Sequence, residues 1–234
     1  MRLLNTAKKD FVLKRFMLVA DLKIDWASHD AAKFACEKWH YSQCLPTGKL
    51  VKVGVWENSK YIGVVIFGRG ASPHLGSKFN LNQTEVCELV RIALTNHETP
   101  VSRIMAIALR FLKKSNIGLR LAVSFADPNQ GHHGGVYQAN NWIYTGTSGQ
   151  TTEVFIDGRW RHMRGAFYKM NKDTPTRSVP GKHRYIMPLD KDMEAFIIGL
   201  SKPYPKRVTK ANSGDQSESG GAVPTDTLQS LGQS

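Results

Sequence analysis

Apolar side chains recur at helical spacing between residues 28 and 39. Ala31, Phe34, Ala35 and Trp39 share one face, Ser28 stands where an N-cap belongs, and Asp30 lies in the first turn. Residues 51–56 and 61–67 are instead rich in Val, Ile and aromatics. The polar Glu57-Asn58-Ser59-Lys60 between them predicts a hairpin. Residues 86–94 read as a further strand. Thr99 as N-cap and Pro100 at the first helical position then open a second helix, with Val101, Ile104, Met105, Ala108, Phe111 and Leu112 on its apolar face. Lys113 and Lys114 close it, their charge complementing the helix dipole. A strand at 119–126 is stopped by Asp127-Pro128, and a short helix near 135–140 and a strand at 142–147 follow. The predicted order is helix, hairpin, strand, helix, strand, helix, strand. Mixed α/β is the fold class it implies, with at least one helical crossover between neighbouring strands.

Composition changes at Pro205. From there to residue 234 the chain is Ser, Gly, Gln, Thr and Asp with few large apolar side chains, which predicts a disordered tail on a domain spanning 1–204. The tail's Lys206, Arg207 and Lys210 cancel Asp215, Glu218 and Asp226, so the net charge of +13 belongs to residues 1–204. No run approaches the ~20 apolar residues of a membrane helix. Lys14 and Arg15 also interrupt the apolar start after Phe11-Val12-Leu13, against a signal peptide. The expectation is a soluble protein of the cell interior without a membrane partner. Cys36, Cys44 and Cys87 are an odd number with no CxxC spacing, which argues against a disulfide framework and a cysteine zinc site.

A charge of +13 with a pI near 9.8 favours a polyanionic partner. It is concentrated in residues 157–185, where eight cations face Asp157 and Asp173, a net +6. Trp160, Phe167, Tyr168 and Tyr185 interleave with them, placing stacking faces beside phosphate contacts. Arg159, Arg161, Arg164, Lys169, Lys182 and Arg184 are therefore the candidate DNA-binding residues.

The element order resembles the GNAT acyltransferase fold, a central mixed sheet flanked by helices. The local match is Tyr137-Gln138-Ala139-Asn140-Asn141-Trp142-Ile143-Tyr144-Thr145-Gly146, with Asn141 standing where that family's pattern has glycine. Asparagine tolerates a left-handed helix end better than most residues. One departure bears on the cofactor. The loop Thr95–Pro100, which would cradle the pyrophosphate of coenzyme A, has no glycine, so acyl-CoA is a doubtful ligand.

Over roughly residues 25–190 the chain resembles the phage Mom family. The stretches that carry this are Trp39-His40-Tyr41-Ser42, GVWENSKYIGVVIFGRGA, CELVRIAL and SFADPNQGHHGGVYQANNW. The resemblance implies an enzyme of phage or prophage origin in the cytoplasm of a bacterial host. It would add a carbamoylmethyl group to the exocyclic amine of adenine in double-stranded phage DNA, shielding the DNA from restriction. A GNAT N-acetyltransferase acting on a small-molecule or protein amine is the alternative.

The resemblance also points to His40, Tyr41, Asp127 and Tyr137 as the catalytic residues. On the residues alone, His40 and Tyr41 serve equally as an aromatic helix end, Asp127 as a turn aspartate and Tyr137 as a core side chain. Attaching CH2-CONH2 to nitrogen is an alkylation, whereas an acetyl thioester offers its carbonyl carbon, so the donor must be activated otherwise. The resemblance implies iron for that role, with His40, Tyr41 and Asp127 as ligands of a nitrogen/oxygen set that iron accepts. His132 and His133 are a second possibility. The group donor stays open.

Overall fold

The computed structural model describes residues 21–70 and 72–207. Strands β1 (Leu22–Trp26), β2 (Leu50–Glu57), β3 (Lys60–Gly68), β4 (Val86–Leu94), β5 (Leu121–Ala126), β6 (Ile143–Thr147) and β10 (His183–Pro188) form one mixed sheet, in the order β1-β2-β3-β4-β5-β10-β6. Only the β4–β5 pair is parallel. That pair needs a crossover, and helix α2 (Val101–Ser115) supplies it.

Both faces of β3 are buried, which explains its nearly unbroken apolar run. Val64 and Ile66 pack on Ala32, Ala35 and Cys36 of helix α1 (His29–Trp39). Val65 and Phe67 join Ile104, Met105 and Ala108 of α2 on the opposite face. Ser28 caps α1 as its spacing predicts, its hydroxyl accepting from the Ala31 amide at 3.1 Å. Asn58 and Ser59 both take positive φ, so the predicted β2–β3 hairpin closes in two residues.

The start of α2 departs from the sequence expectation. Pro100, not Thr99, is the N-cap, and no side chain caps the helix. The buried carboxylate of Glu57 reaches across from β2 and accepts the Glu98 and Thr99 amides, each at 2.8 Å. That draws Thr99 away from a capping position.

A second departure concerns residues 148–182. Strands β7 (Thr151–Ile156), β8 (Arg159–His162) and β9 (Thr176–Val179) form a separate antiparallel sheet in the order β8-β7-β9, inserted between β6 and β10. The insertion leaves after Thr147 and returns at His183, which pairs both with Thr147 and with Ala126 at the end of β5. The far end of the basic stretch is thus a central strand: Tyr185 and Ile186 of β10 are fully buried. A last helix, α5 (Lys191–Ile198), covers the α1 side through Met193 and Ile197.

Two parts of the sequence reading fall outside the described residues: the segment before Asp21, and nearly all of the tail at 205–234. Up to Pro205 the chain is held on the domain. The Tyr204 hydroxyl donates to the Trp142 carbonyl, and the Gln138 amide to that of Pro205. Among the described residues no helix is long and apolar enough to cross a membrane, and all three cysteines are free thiols.

Candidate functional site

The parallel ladder between β4 and β5 is short. It runs from Val86↔Leu121 to Leu89↔Ser124, while β4 continues to Leu94. At the last rung β4 is bulged: β3 pairs Phe67 with Leu89 and Ile66 with Arg91, leaving Val90 without a partner. A bulge bends its strand and often lies beside a functional site. Here it opens the sheet, and a cavity of about 520 Å³ lies in the gap. Trp39, His40 and Tyr41 enter it from the end of α1. Arg91 comes from β4, and His132, His133 and Tyr137 from the segment after β5.

Tyr137 sits on the short helix α3 (Gly135–Gln138), its ring against those of Trp142 and Tyr185. Burial pushes its pKa up to about 12, so it is a neutral phenol. The Ser124 hydroxyl lies 2.8 Å from both the Tyr137 hydroxyl and the Leu89 carbonyl. A carbonyl only accepts, so the serine proton must go to Leu89 and the tyrosine proton to Ser124. The phenol oxygen of Tyr137 is left as an acceptor toward the cavity.

His40 is fixed differently. Its Nδ1 accepts the Ser42 amide at 3.1 Å, and burial, Arg91 and His132 together lower its pKa to about 4. The ring is neutral near pH 7. With Nδ1 accepting, its proton is assigned to Nε2, which makes it a donor. Tyr41 packs on this ring at 4.2 Å between centroids and meets His132 edge-on at 5.5 Å.

Arg91 is the charge of the site. Its Nη1 donates to the Cys44 carbonyl, its Nε is buried without a hydrogen-bond partner, and none of the ion pairs among the described residues includes it. A guanidinium that lines a cavity and has no ion-pair partner among the described residues favours an anion or an electron-rich oxygen there. Neither Arg91 nor Ser124 was among the residues singled out from sequence. The signals were present, the single cation of CELVRIAL and the single hydroxyl of LAVSFA, each inside a strand made mostly of apolar residues.

Asp127 is placed just beyond this cavity and does not line it. Its carboxylate accepts the Asn129 amide at 3.0 Å and pairs with Lys182 at 3.1 Å. Two residues given separate roles from sequence, one catalytic and one DNA-binding, are therefore partners. Of His40, Tyr41 and Asp127, the first two line the cavity and Asp127 does not. Among the described residues no three His, Cys, Asp or Glu side chains gather as a metal site. Acyl-CoA fits no better, because Glu57 already holds the Glu98 and Thr99 amides of the loop that would receive its pyrophosphate.

The other basic candidates divide. Arg159 is exposed on β8, and Arg161 and Lys169 both pair with Asp157 at the β7–β8 turn. Arg164 lies in helix α4 (Met163–Ala166), its side chain outside the described residues. Arg184 turns inward, its Nε donating to the Thr145 hydroxyl at 2.8 Å.

A family model described as the Mom protein family matches residues 21–206, a span that includes every residue lining the cavity. The chain belongs to the Mom protein family. A curated relative of this Mom chain is "Methylcarbamoylase mom" of Escherichia phage Mu, 26% identical over 204 residues, covering 80% of this chain and 84% of its own. A solved structure described as a candidate acetyltransferase from Acinetobacter baylyi ADP1 is similar with a TM-score of 0.43 and 13% identity. It covers 74% of this chain and 94% of its own.

The loop carrying His132 and His133 depends on Gly134 (φ +85), where an added Cβ would lie 2.2 Å from the buried Tyr185 ring. The Tyr185 hydroxyl in turn donates to the His133 carbonyl at 2.6 Å. Gly134→Ala combines left-handed strain with overpacking and should destabilise this Mom protein by roughly 2–4 kcal/mol. A denaturant midpoint equal to wild type would show that the loop moves aside freely.

Proposed function

We propose that this Mom protein transfers a carbamoylmethyl group to the exocyclic amine of adenine in double-stranded DNA. By this reading it serves a phage or prophage in the host cytoplasm and protects the modified DNA from restriction. The observation that carries the reading is that the family match encloses the cavity where Tyr137, Arg91 and His40 meet.

The adenine nitrogen attacks the donor's methylene carbon. A nitrogen–carbon bond forms, the bond from methylene to leaving group breaks, and the leaving group departs with the electron pair. The nitrogen then loses one proton to solvent water, the neutral Tyr137 phenol serving only as a hydrogen-bond acceptor. Tyr137 is suited to accept a hydrogen bond from the amine and aim its lone pair, since its own proton is committed to Ser124. Arg91 faces the charge that develops on the leaving group. His40, neutral and protonated at Nε2, can donate to the carboxamide oxygen of the transferred group. No step is assigned to iron; of the three residues considered as its ligands, Asp127 is paired with Lys182. The alternative, acetyl transfer from coenzyme A, is disfavoured by Glu57 on the loop amides.

Expression in bacteria should convert a fraction of deoxyadenosine to a carbamoylmethyl adduct, read by mass spectrometry of the nucleosides. Unmodified deoxyadenosine throughout, from well-expressed soluble protein, would refute the reading. An acetyl adduct would establish the alternative.

A further inference from the structure

The small sheet carries aromatic side chains that its own packing does not use. Phe167 and Tyr168 are consecutive in a tight turn, 73% and 80% exposed. The turn is held in place: Lys169 Nζ lies 2.9 Å from the Asp157 carboxylate at the tip of the β7–β8 hairpin, and Arg161 reaches the same carboxylate at 3.4 Å. Behind it, Trp160 packs on Phe155, and the Arg177 guanidinium lies over the Trp160 ring at 4.4 Å. Two large rings are thus presented on a braced support among cations.

Their position in the fold matters as much as their exposure. The insertion leaves and rejoins the main sheet at Thr147 and His183, beside Ala126, which lines the cavity. The Lys182–Asp127 pair ties its return strand to the same end of β5. The small sheet therefore springs from the end of the main sheet where the cavity lies. Residues 148–182, the insertion itself, carry seven cations against Glu153, Asp157 and Asp173, a net +4, which favours a polyanion over a protein surface as the occupant.

We propose that Phe167 and Tyr168 form a wedge that enters the base stack of duplex DNA at the place the target adenine vacates. This rests on the DNA-modifying reading above. The Tyr137 phenol lies inside the cleft, against Trp142 and Tyr185, where a base still paired in a duplex cannot reach it. The adenine must leave the stack, and extrusion costs the stacking and pairing of that base. Apolar side chains inserted between base steps recover part of this cost and hold the duplex open. The wedge acts on the duplex, not on the reaction. It is needed where the adenine is paired and redundant where it is already unpaired.

The test uses the full chain and duplexes carrying 2-aminopurine at an adenine position that expressing cells are found to modify. Wild type should raise 2-aminopurine fluorescence on binding. The double variant Phe167→Ala/Tyr168→Ala should bind the paired duplex about tenfold more weakly, the scale of losing a stacked ring, with little fluorescence rise. It should bind a duplex with the same adenine in an unpaired bulge as wild type does, and melt as wild type does. Equal loss on paired and bulged duplexes, or an undiminished fluorescence rise, would overturn the wedge. So would full extrusion by the double variant alongside loss of binding to another protein. If wild type modifies no adenine in cells, the functional reading fails. If it does and the double variant flips normally, only the wedge fails.

Discussion

Tyr137→Phe is expected to lower adenine modification by about 100-fold or more, the cost of misplacing a reacting group by about 1 Å, while the protein folds and binds DNA as before. The substitution removes one oxygen and leaves the ring on Trp142 and Tyr185. Stability should fall by only about 1 kcal/mol, the worth of one neutral hydrogen bond. The lost atom is the acceptor that meets the adenine amine. Ser124→Ala separates this role from packing. It frees the Tyr137 proton from its fixed direction without touching the cavity wall. An intermediate loss of modification is expected, with stability lowered by about 1–3 kcal/mol, because the Leu89 carbonyl and the Tyr137 hydroxyl lose their buried partner. Nucleoside mass spectrometry and thermal melting on the same proteins check both. Near-wild-type modification by Tyr137→Phe would remove the phenol from the reaction.

The main sheet was legible where side chains repeat with a clear period. Helix α1, the β2–β3 hairpin and β4 carry such periods and appear within a residue or two of their expected bounds, but α1 buries Ala32, Ala35 and Cys36 and leaves Phe34 of the expected face exposed. Asn141 adopts the left-handed conformation that its place in the glycine pattern implied. The small sheet was not legible, because its strands are short and half exposed and closely spaced cations interrupt their apolar alternation. Its signal was Asp157-Gly158, both at positive φ, between Ile156 and Arg159. That is the dipeptide of a two-residue hairpin. At the site, His40, Tyr41 and Tyr137 could be named from local sequence. The Tyr137–Ser124–Leu89 chain could not, since it needs β4 and β5 side by side and split at the last rung. The Asp127–Lys182 pair likewise joins residues far apart in sequence through the return of the insertion.

Arg91→Met should reduce modification by roughly 100- to 1,000-fold, the range for removing a single donor from a site of developing negative charge. Methionine keeps most of the apolar stem in β4 and removes only the guanidinium. The same change has a second readout. Arg91 is one of the causes, after burial, that hold the His40 pKa near 4 instead of its ordinary 6.5. Between those values wild-type folded protein binds fewer protons at His40 than unfolded chain does. Its contribution to stability is therefore present above pH 6.5 and lost as the pH falls toward 4. Without Arg91 the His40 pKa moves up and the window narrows, so the variant's melting temperature should fall less steeply across it. Imidazole titration by NMR reports the shift directly. An arginine serving only to tether the Cys44 carbonyl predicts a small loss of stability and nearly full modification. Modification close to wild type with an unmoved His40 titration would place the guanidinium outside the chemistry. A steep loss of modification accompanied by a raised His40 pKa would tie the charge, the neutral imidazole and the reacting amine to one cavity.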